Sequence, residues 1–537
     1  MRPAASSPSP ENPDSPDSPA GTGRRHGDRH GGRRAASALA VAVLLAGGPA
    51  GAVAAPQAAV PQSGVVAVAQ VPPGLESFYA QVLTWAPCGL GAECATLQVP
   101  LDYANPAGAQ VQLAVKRVRS TDAAARTGSL LVNFGGPGGS GTQSLEAWAA
   151  GLDPRIRAAY DLVGFDPRGV ASSTAVECLD DAGMDAMRAT QIDPDTEEGL
   201  DDLTAFAREY AAACARNTGP LLAEVDTVSA AQDLDVLRAV LGEEDLDYVG
   251  YSYGTQLGST YADLFPEHTG RLVLDGAMDS TLDYAEVTLG QAYAFERSFR
   301  VYVESCLPMD GCPFEGTPEE ASAEVAALLE RLETTPLPTA DGRPLTANDA
   351  LTGMLLPLYD ERLWPWLTQA LIPALDQGDG TALMFLADAR YGRAADGTYR
   401  DNGSEANTAI NCLDLPVDTD PEAMAALDAQ LQEASPTFGD LFSHGEVFCG
   451  EWPHGPAPDR VVRDAAGAAP ILVIGTTGDP ATPYVWAEAL AEQLESGHLL
   501  TYRGEGHTAY TRGNACVDAI VNTYLLEGTL PAEEKTC

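Results

Sequence analysis

The 537-residue chain is almost without lysine: only Lys116 and Lys535 occur. Lysine and arginine together number 31 against 76 aspartates and glutamates, a formal net charge of -45. A chain so short of positive charge has no electrostatic footprint for phosphate backbones or anionic lipid. That excludes a nonspecific nucleic-acid binder and argues against stable membrane association. The lysine deficit beside abundant Arg, Ala, Gly and Pro fits the codon bias of a GC-rich genome, with adaptation to salt as the alternative. Nothing in the chain is apolar over the ~20 residues that a membrane-spanning helix needs. No CxxC pair or Cys/His cluster of ligand spacing occurs, so no metal and no cofactor are expected. Hydrophobic residues still make up 45%, ordinary for a folded protein. The length allows one large elaborated domain or two to three ordinary ones.

The first fifty-odd residues read as an address. A stretch rich in Pro, Ser, Ala and Gly precedes a basic run, Arg24, Arg25, Arg29, Arg33 and Arg34. An apolar run from Ala35 to Gly47 follows, and Ala52-Val53-Ala54 supplies small residues at signal-peptidase spacing. This is a secretory signal in its usual order, over residues 1–54. Sec and twin-arginine export both remain open, and no Cys just after the leader calls for a lipid anchor. All ten cysteines come later, and an even number in an exported chain reads as disulfides. Neighbour pairing is the simplest expectation: Cys88 with Cys94, Cys178 with Cys214, Cys306 with Cys312, Cys412 with Cys449, and Cys516 with Cys537.

Strand-like and helix-like segments alternate from about residue 94. Two strands flank the Asn105-Pro106 turn. Apolar strands are then predicted at 129–134, 160–165, 246–249, 271–275, 470–475 and 499–502. Helices are predicted at 229–241, 254–265 and 484–494. Strands separated by helices imply a mostly parallel sheet covered on both faces. The stretch from Gly276 to Ile471 is far longer than a crossover needs. It is rich in helical pattern and reads as an inserted cap. The expected organisation is a signal peptide 1–54, a flexible segment 55–79, a first core part 80–278, a helical cap 279–465 and a second core part 466–537.

The chemistry centres on Gly250-Tyr251-Ser252-Tyr253-Gly254. This is a G-x-S-x-G nucleophile elbow, with an apolar strand before it and a helix after it, as the strained turn requires. Ser252 is the candidate nucleophile. A serine hydroxyl needs a base. Of the five histidines after the leader, His507 follows the last predicted strand, where loops at the carboxyl ends of parallel strands converge. The orienting carboxylate is Asp479, just after the penultimate strand, with Asp275 as runner-up. The order Ser, Asp, His is that of the hydrolase fold. Gly135-Gly136-Pro137-Gly138-Gly139 can bring bare N–H groups close to a reacting oxygen. Gly136 and Tyr253 are the expected oxyanion donors.

Several further segments carry a resemblance. Asn133-Phe-Gly-Gly-Pro-Gly-Gly-Ser-Gly141, Gly164-Phe-Asp-Pro-Arg-Gly169, Tyr251-Ser-Tyr-Gly254, Gly478-Asp-Pro-Ala-Thr-Pro483 and Gly506-His507 resemble the secreted actinobacterial tripeptidyl aminopeptidases. Those are α/β-hydrolases related to prolyl aminopeptidases, and the resemblance runs from about Trp85 to Cys537, including a C-terminal segment like theirs. It implies an α/β-hydrolase fold with a large helical cap, removal of short peptides from free N-termini, and a triad at Ser252, Asp479 and His507. Prolyl aminopeptidases carry a histidine before the Gly-Gly-Pro-Gly run, where this chain has Phe134.

An exopeptidase must receive a charged amino terminus. Gly403 to Cys412 resembles the family's cap segment, so Glu405 and Asp414 are candidate receivers. The expected partner is a peptide or a small ester. An esterase or lipase with the same triad is the first rival, and a non-catalytic binder on a hydrolase fold the second. The oligomeric state stays open.

Overall fold

The computed structural model describes residues 71–194, 196–456, 463–532 and 534–537, so the leader expected at 1–54 lies outside the described residues. Ten strands form one sheet. They are β1 (Ala86–Pro87), β2 (Ala92–Pro100), β3 (Gln110–Val118), β4 (Gly128–Asn133), β5 (Tyr160–Phe165), β6 (Leu246–Tyr251), β7 (Thr269–Asp275), β8 (Ile471–Gly478), β9 (Gly497–Glu505) and β10 (Lys535–Thr536). Their spatial order is β1-β2-β3-β5-β4-β6-β7-β8-β9-β10. From β5 to β10 every neighbouring pair is parallel, whereas β1, β2 and β3 run antiparallel to their neighbours.

The central strands read as continuous apolar runs because both faces are covered. Successive residues feed opposite cores. Tyr248, Leu272 and Leu274 join one, and Val249, Val273 and Leu130 the other. Of the expected flexible segment 55–79, residues 71–79 are described. There Leu75 and Phe78 are buried in the first of these cores, and the Tyr79 hydroxyl donates to Asp235 over 2.7 Å.

Between β7 and β8 the chain builds helices, beginning with Tyr284–Cys306. A third core forms here around Phe299, Tyr302, Val325, Met354 and Phe438. The insertion is not self-contained. Ala406, Ala409, Ile410 and Leu413 of the helix Gly403–Asp414 join the core of the sheet instead. A second segment, between β5 and β6, contributes the helices Asp181–Ala189 and Glu197–Thr218. Arg188 of the first is nearly buried and pairs with Asp349 and Asp388 of the insertion, both over 2.9 Å. The roof over the sheet therefore extends beyond residues 279–465.

All ten cysteines are bonded, each to its neighbour in the chain: 88–94, 178–214, 306–312, 412–449 and 516–537. Cys412–Cys449 links the helix Gly403–Asp414 to the helix Glu446–Gly450.

Candidate active site

Ser252 sits at the end of β6, immediately before the helix Tyr253–Leu264, with φ 56° and ψ -126°. A non-glycine residue at positive φ is strained, and strain of this kind concentrates at functional turns. The turn closes because its neighbours lack side chains. A Cβ on Gly250 would lie 2.3 Å from the Gly254 carbonyl oxygen, and one on Gly254 2.8 Å from that of Asn133.

The glycine-rich run after β4 packs directly on this turn. A Cβ on Gly135 would lie 2.8 Å from the Ser252 Cβ and 3.2 Å from the Tyr253 nitrogen. The Asn133 side chain holds the run in place by accepting the Gly135 N–H over 2.9 Å. Among the described residues, no acceptor takes the N–H of Gly136 or of Tyr253. Two free donors thus flank the serine, as an oxyanion hole needs. The far end of the run is fixed by Asp166, which is fully buried. It accepts the Ser140 and Thr142 hydroxyls at 2.7 and 2.9 Å, and the Thr142 and Ser172 N–H groups at 2.9 and 3.1 Å. That is the physical work of the Asp-Pro-Arg-Gly segment. Its Arg168 is fully buried against Asp233, over two bonds of 2.7 Å.

His507 and Asp479 meet as the sequence places them. His507 Nδ1 lies 2.8 and 2.9 Å from the two Asp479 oxygens, and both residues are buried. The Asp479 carboxylate also accepts the N–H groups of Ala481, Thr482 and Thr508. The His507 N–H donates to the Tyr359 carbonyl over 2.8 Å, and the Tyr359 ring meets the imidazole edge-on at 5.4 Å. A Cβ on Gly276, just past β7, would touch His507 Cε1 at 3.1 Å. The imidazole therefore stands over the end of β7, the strand whose last carbonyl, Asp275, accepts the Ser252 N–H.

Asp275, the runner-up acid, does not orient the imidazole. Its buried carboxylate accepts the N–H groups of Ala509 at 3.0 Å and Tyr510 at 2.8 Å, and so fixes the loop after His507. Burial pushes it up to about 6, against the pull of those N–H groups and of His507.

The two acids expected to receive an amino terminus do something else. Glu405 accepts the N–H groups of Cys178 and Leu179, at 3.0 and 2.7 Å. Asp414 accepts the Thr227 N–H and hydroxyl, at 3.0 and 2.5 Å, and burial pushes its carboxyl up to about 7. Neither lines the cavity beside the glycine run. With Asn402, which bonds Ala171, Gly169 and Val176, they bolt the helix Gly403–Asp414 to the body. That correction has a simple cause. A helix has several faces, and resemblance of a segment does not say which one looks inward.

The inward face of that helix carries Ser404, Asn407 and Thr408. Asn407 donates to the Pro137 carbonyl over 3.1 Å, and a Cβ on Gly138 would lie 2.4 Å from the Gly403 carbonyl oxygen. Here lies a cavity of about 790 Å³, bounded by Gly136–Gly139, by Tyr359 and by both roof segments. Its volume is in the range of small-molecule and short-peptide sites. Two acids line it, Asp349 and Asp401. Asp349 is taken up by Arg188. Asp401 Oδ1 accepts the Gly403 N–H at 3.1 Å, and among the described residues nothing donates to its Oδ2. Sequence reasoning missed Asp401, Tyr359 and Asp166. Only Asp166 lay within a segment already singled out.

A strained serine, a histidine held by a buried carboxylate and two free N–H donors, on a parallel sheet with a helical roof, define a serine hydrolase of the α/β-hydrolase fold. A family described as TAP-like protein matches residues 435–537. The chain is 37% identical over 478 residues to a Mycobacterium tuberculosis protein named Serine protease Hip1, covering 85% of this chain and 91% of that one. It is 36% identical over 456 residues to Carboxylesterase B of the same organism, covering 83% and 86%. It is 31% identical over 459 residues to Tripeptidyl aminopeptidase of Streptomyces lividans, covering 83% of each. The chain belongs to this tripeptidyl aminopeptidase-like family of α/β-hydrolases.

Proposed function

We propose that this protein is an exported serine aminopeptidase that releases short peptides, tripeptides foremost, from free N-termini. The observation that carries the reading is the roofed cavity beside the Gly136 N–H, with the unclaimed Asp401 oxygen in its wall. A partly enclosed cavity with one available carboxylate suits a chain end bearing an ammonium group.

Ser252 Oγ attacks the scissile carbonyl while His507 takes its proton. Asp479 steadies the resulting imidazolium, and the N–H groups of Gly136 and Tyr253 receive the oxyanion. His507 then returns the proton to the leaving amine, and the acyl group stays on Ser252. Water, deprotonated by His507, releases the peptide and restores the serine. Export rests on the leader at 1–54 and on the five disulfides, which persist in oxidising compartments.

The test is a set of tripeptide p-nitroanilides with free and acetylated amino termini. Acetylation should abolish turnover, and Asp401→Asn should raise KM for the free-amine substrates by ~10-fold or more, the scale of one charge-assisted bond. Equal turnover of both forms would instead favour an esterase-like hydrolase, the reading that the Carboxylesterase B relative supports.

A further inference from the structure

Two arginines reach the cavity, and they differ in one respect. Arg188 is spent on Asp349, Asp388 and the Tyr399 hydroxyl. Arg390, in the last turn of the helix Thr381–Tyr391, is exposed on the cavity wall. Among the described residues, none brings a carboxylate within ion-pairing distance of it. Other described arginines, Arg157 and Arg503 among them, also show no ion pair, but Arg390 is the one of these that lines the cavity.

Its position ties it to the chemistry. Burial pushes the Tyr359 phenol up, and the Arg390 guanidinium beside it pulls the other way. Tyr359 is also the residue whose carbonyl takes the His507 N–H. The unpaired cation therefore lies one side chain away from the candidate base. Guanidinium is planar, always charged and shaped to grip a carboxylate through two parallel bonds. Within a partly enclosed wall such a pair is screened less than at an open surface.

We propose that Arg390 is a specificity-determining residue that binds a carboxylate of the peptide substrate, so that this enzyme prefers peptides carrying an acidic group at the position facing it. The proposal rests on the aminopeptidase reading and adds the substrate's charge to it. The carboxylate has two possible sources, an acidic side chain in the released fragment or the free C-terminus of a short substrate.

The experiment compares kcat/KM for matched pairs. Tripeptide p-nitroanilides with free amino termini carry Glu or Gln at each of the three positions in turn, and tetrapeptides carry a free or an amidated C-terminus. One pair should favour the carboxylate by about 10- to 100-fold, the scale of a hydrogen bond to a charged group. The position of that pair identifies the source. In Arg390→Gln the ratio should fall to about one, and in Arg390→Glu it should invert in favour of Lys over Glu. Ratios of about one throughout the wild type, or a preference that survives Arg390→Gln, overturn the proposal while leaving the aminopeptidase reading intact. Should the anilides fail altogether while p-nitrophenyl butyrate is hydrolysed, the aminopeptidase reading falls. The hemisuccinate-to-butyrate ratio, in wild type and Arg390→Gln, then decides the carboxylate site by itself.

Discussion

The N–H of Ser252 donates to the carbonyl of Asp275 over 2.9 Å, while the carboxylate of the same aspartate holds the two N–H groups that follow Thr508. One residue thus grips the candidate nucleophile with its main chain and the loop of the candidate base with its side chain. Asp275→Asn should weaken this link, because the amide keeps one acceptor oxygen for these donors, loses the carboxylate charge, and sets its nitrogen against the Ala509 N–H. We expect kcat to fall ~100-fold in a folded protein, since small misplacement of reacting groups costs that much. Unchanged kcat, with circular dichroism confirming the fold, would remove Asp275 from the positioning of the site.

Ser252→Ala and Ser252→Gly should both lose turnover by at least ~10⁴-fold and resist fluorophosphonate labelling. They should differ in stability. At φ 56° an alanine keeps the strain and a glycine relieves it, a difference of about 1 kcal/mol or more. Thermal melts that rank alanine above glycine would contradict the strained geometry.

Gly138→Ala tests the contact between the roof and the glycine run. Its Cβ would collide with the Gly403 carbonyl at 2.4 Å, and its φ of +98° suits no side chain. The expected result is a lower melting temperature together with a fall in kcat/KM of ~10-fold or more. Gly91→Ala, where nothing lies within 4 Å, is the control for positive φ alone, and its kcat/KM should match wild type.

Asp414 gives a pH dependence with a definite sign. Its carboxyl is raised from 3.8 to about 7 in the folded protein by burial. A raised carboxyl stabilises the fold fully below about pH 4, and that contribution is lost as pH rises towards 7. Asp414→Asn removes the titration while keeping an acceptor for the Thr227 N–H. Its melting temperature relative to wild type should therefore climb between pH 4 and pH 8. A difference that stays constant over that range would show that Asp414 does not titrate there.

The acidity of the whole chain makes one further expectation. A cationic amino terminus is drawn towards a net charge of -45, and screening weakens that pull. For a tripeptide p-nitroanilide with a free amino terminus and uncharged side chains, kcat/KM should fall as salt rises from ~20 to ~500 mM, and a flat response would exclude steering.

What could be read beforehand and what could not divide along physical lines. The elbow at Ser252 and the loops of Asp479 and His507 are local. Each needs a strand end and a few residues in fixed order, and those are visible in one dimension. The sheet was legible for the same reason, since β4 to β9 are short apolar runs bounded by turns. The short β10 was not, because two residues carry no period. Glu405 and Asp414 went wrong because an acid on a helix can either cap backbone donors or face a ligand, and only packing decides. Asp401 and Arg390 went unnoticed because their significance lies in what they are not bonded to. The segment 181–218 escaped as part of the roof because Arg188 meets Asp349 only after the chain has folded back across the sheet.

The helix Gly403–Asp414 touches the glycine run at one end and carries Cys412 near the other. The Cys412–Cys449 bond therefore adds a covalent tether to an anchorage that Glu405, Asp414 and Asn402 already provide. In a reducing solution that tether opens, and the helix is left to its hydrogen bonds and its apolar face.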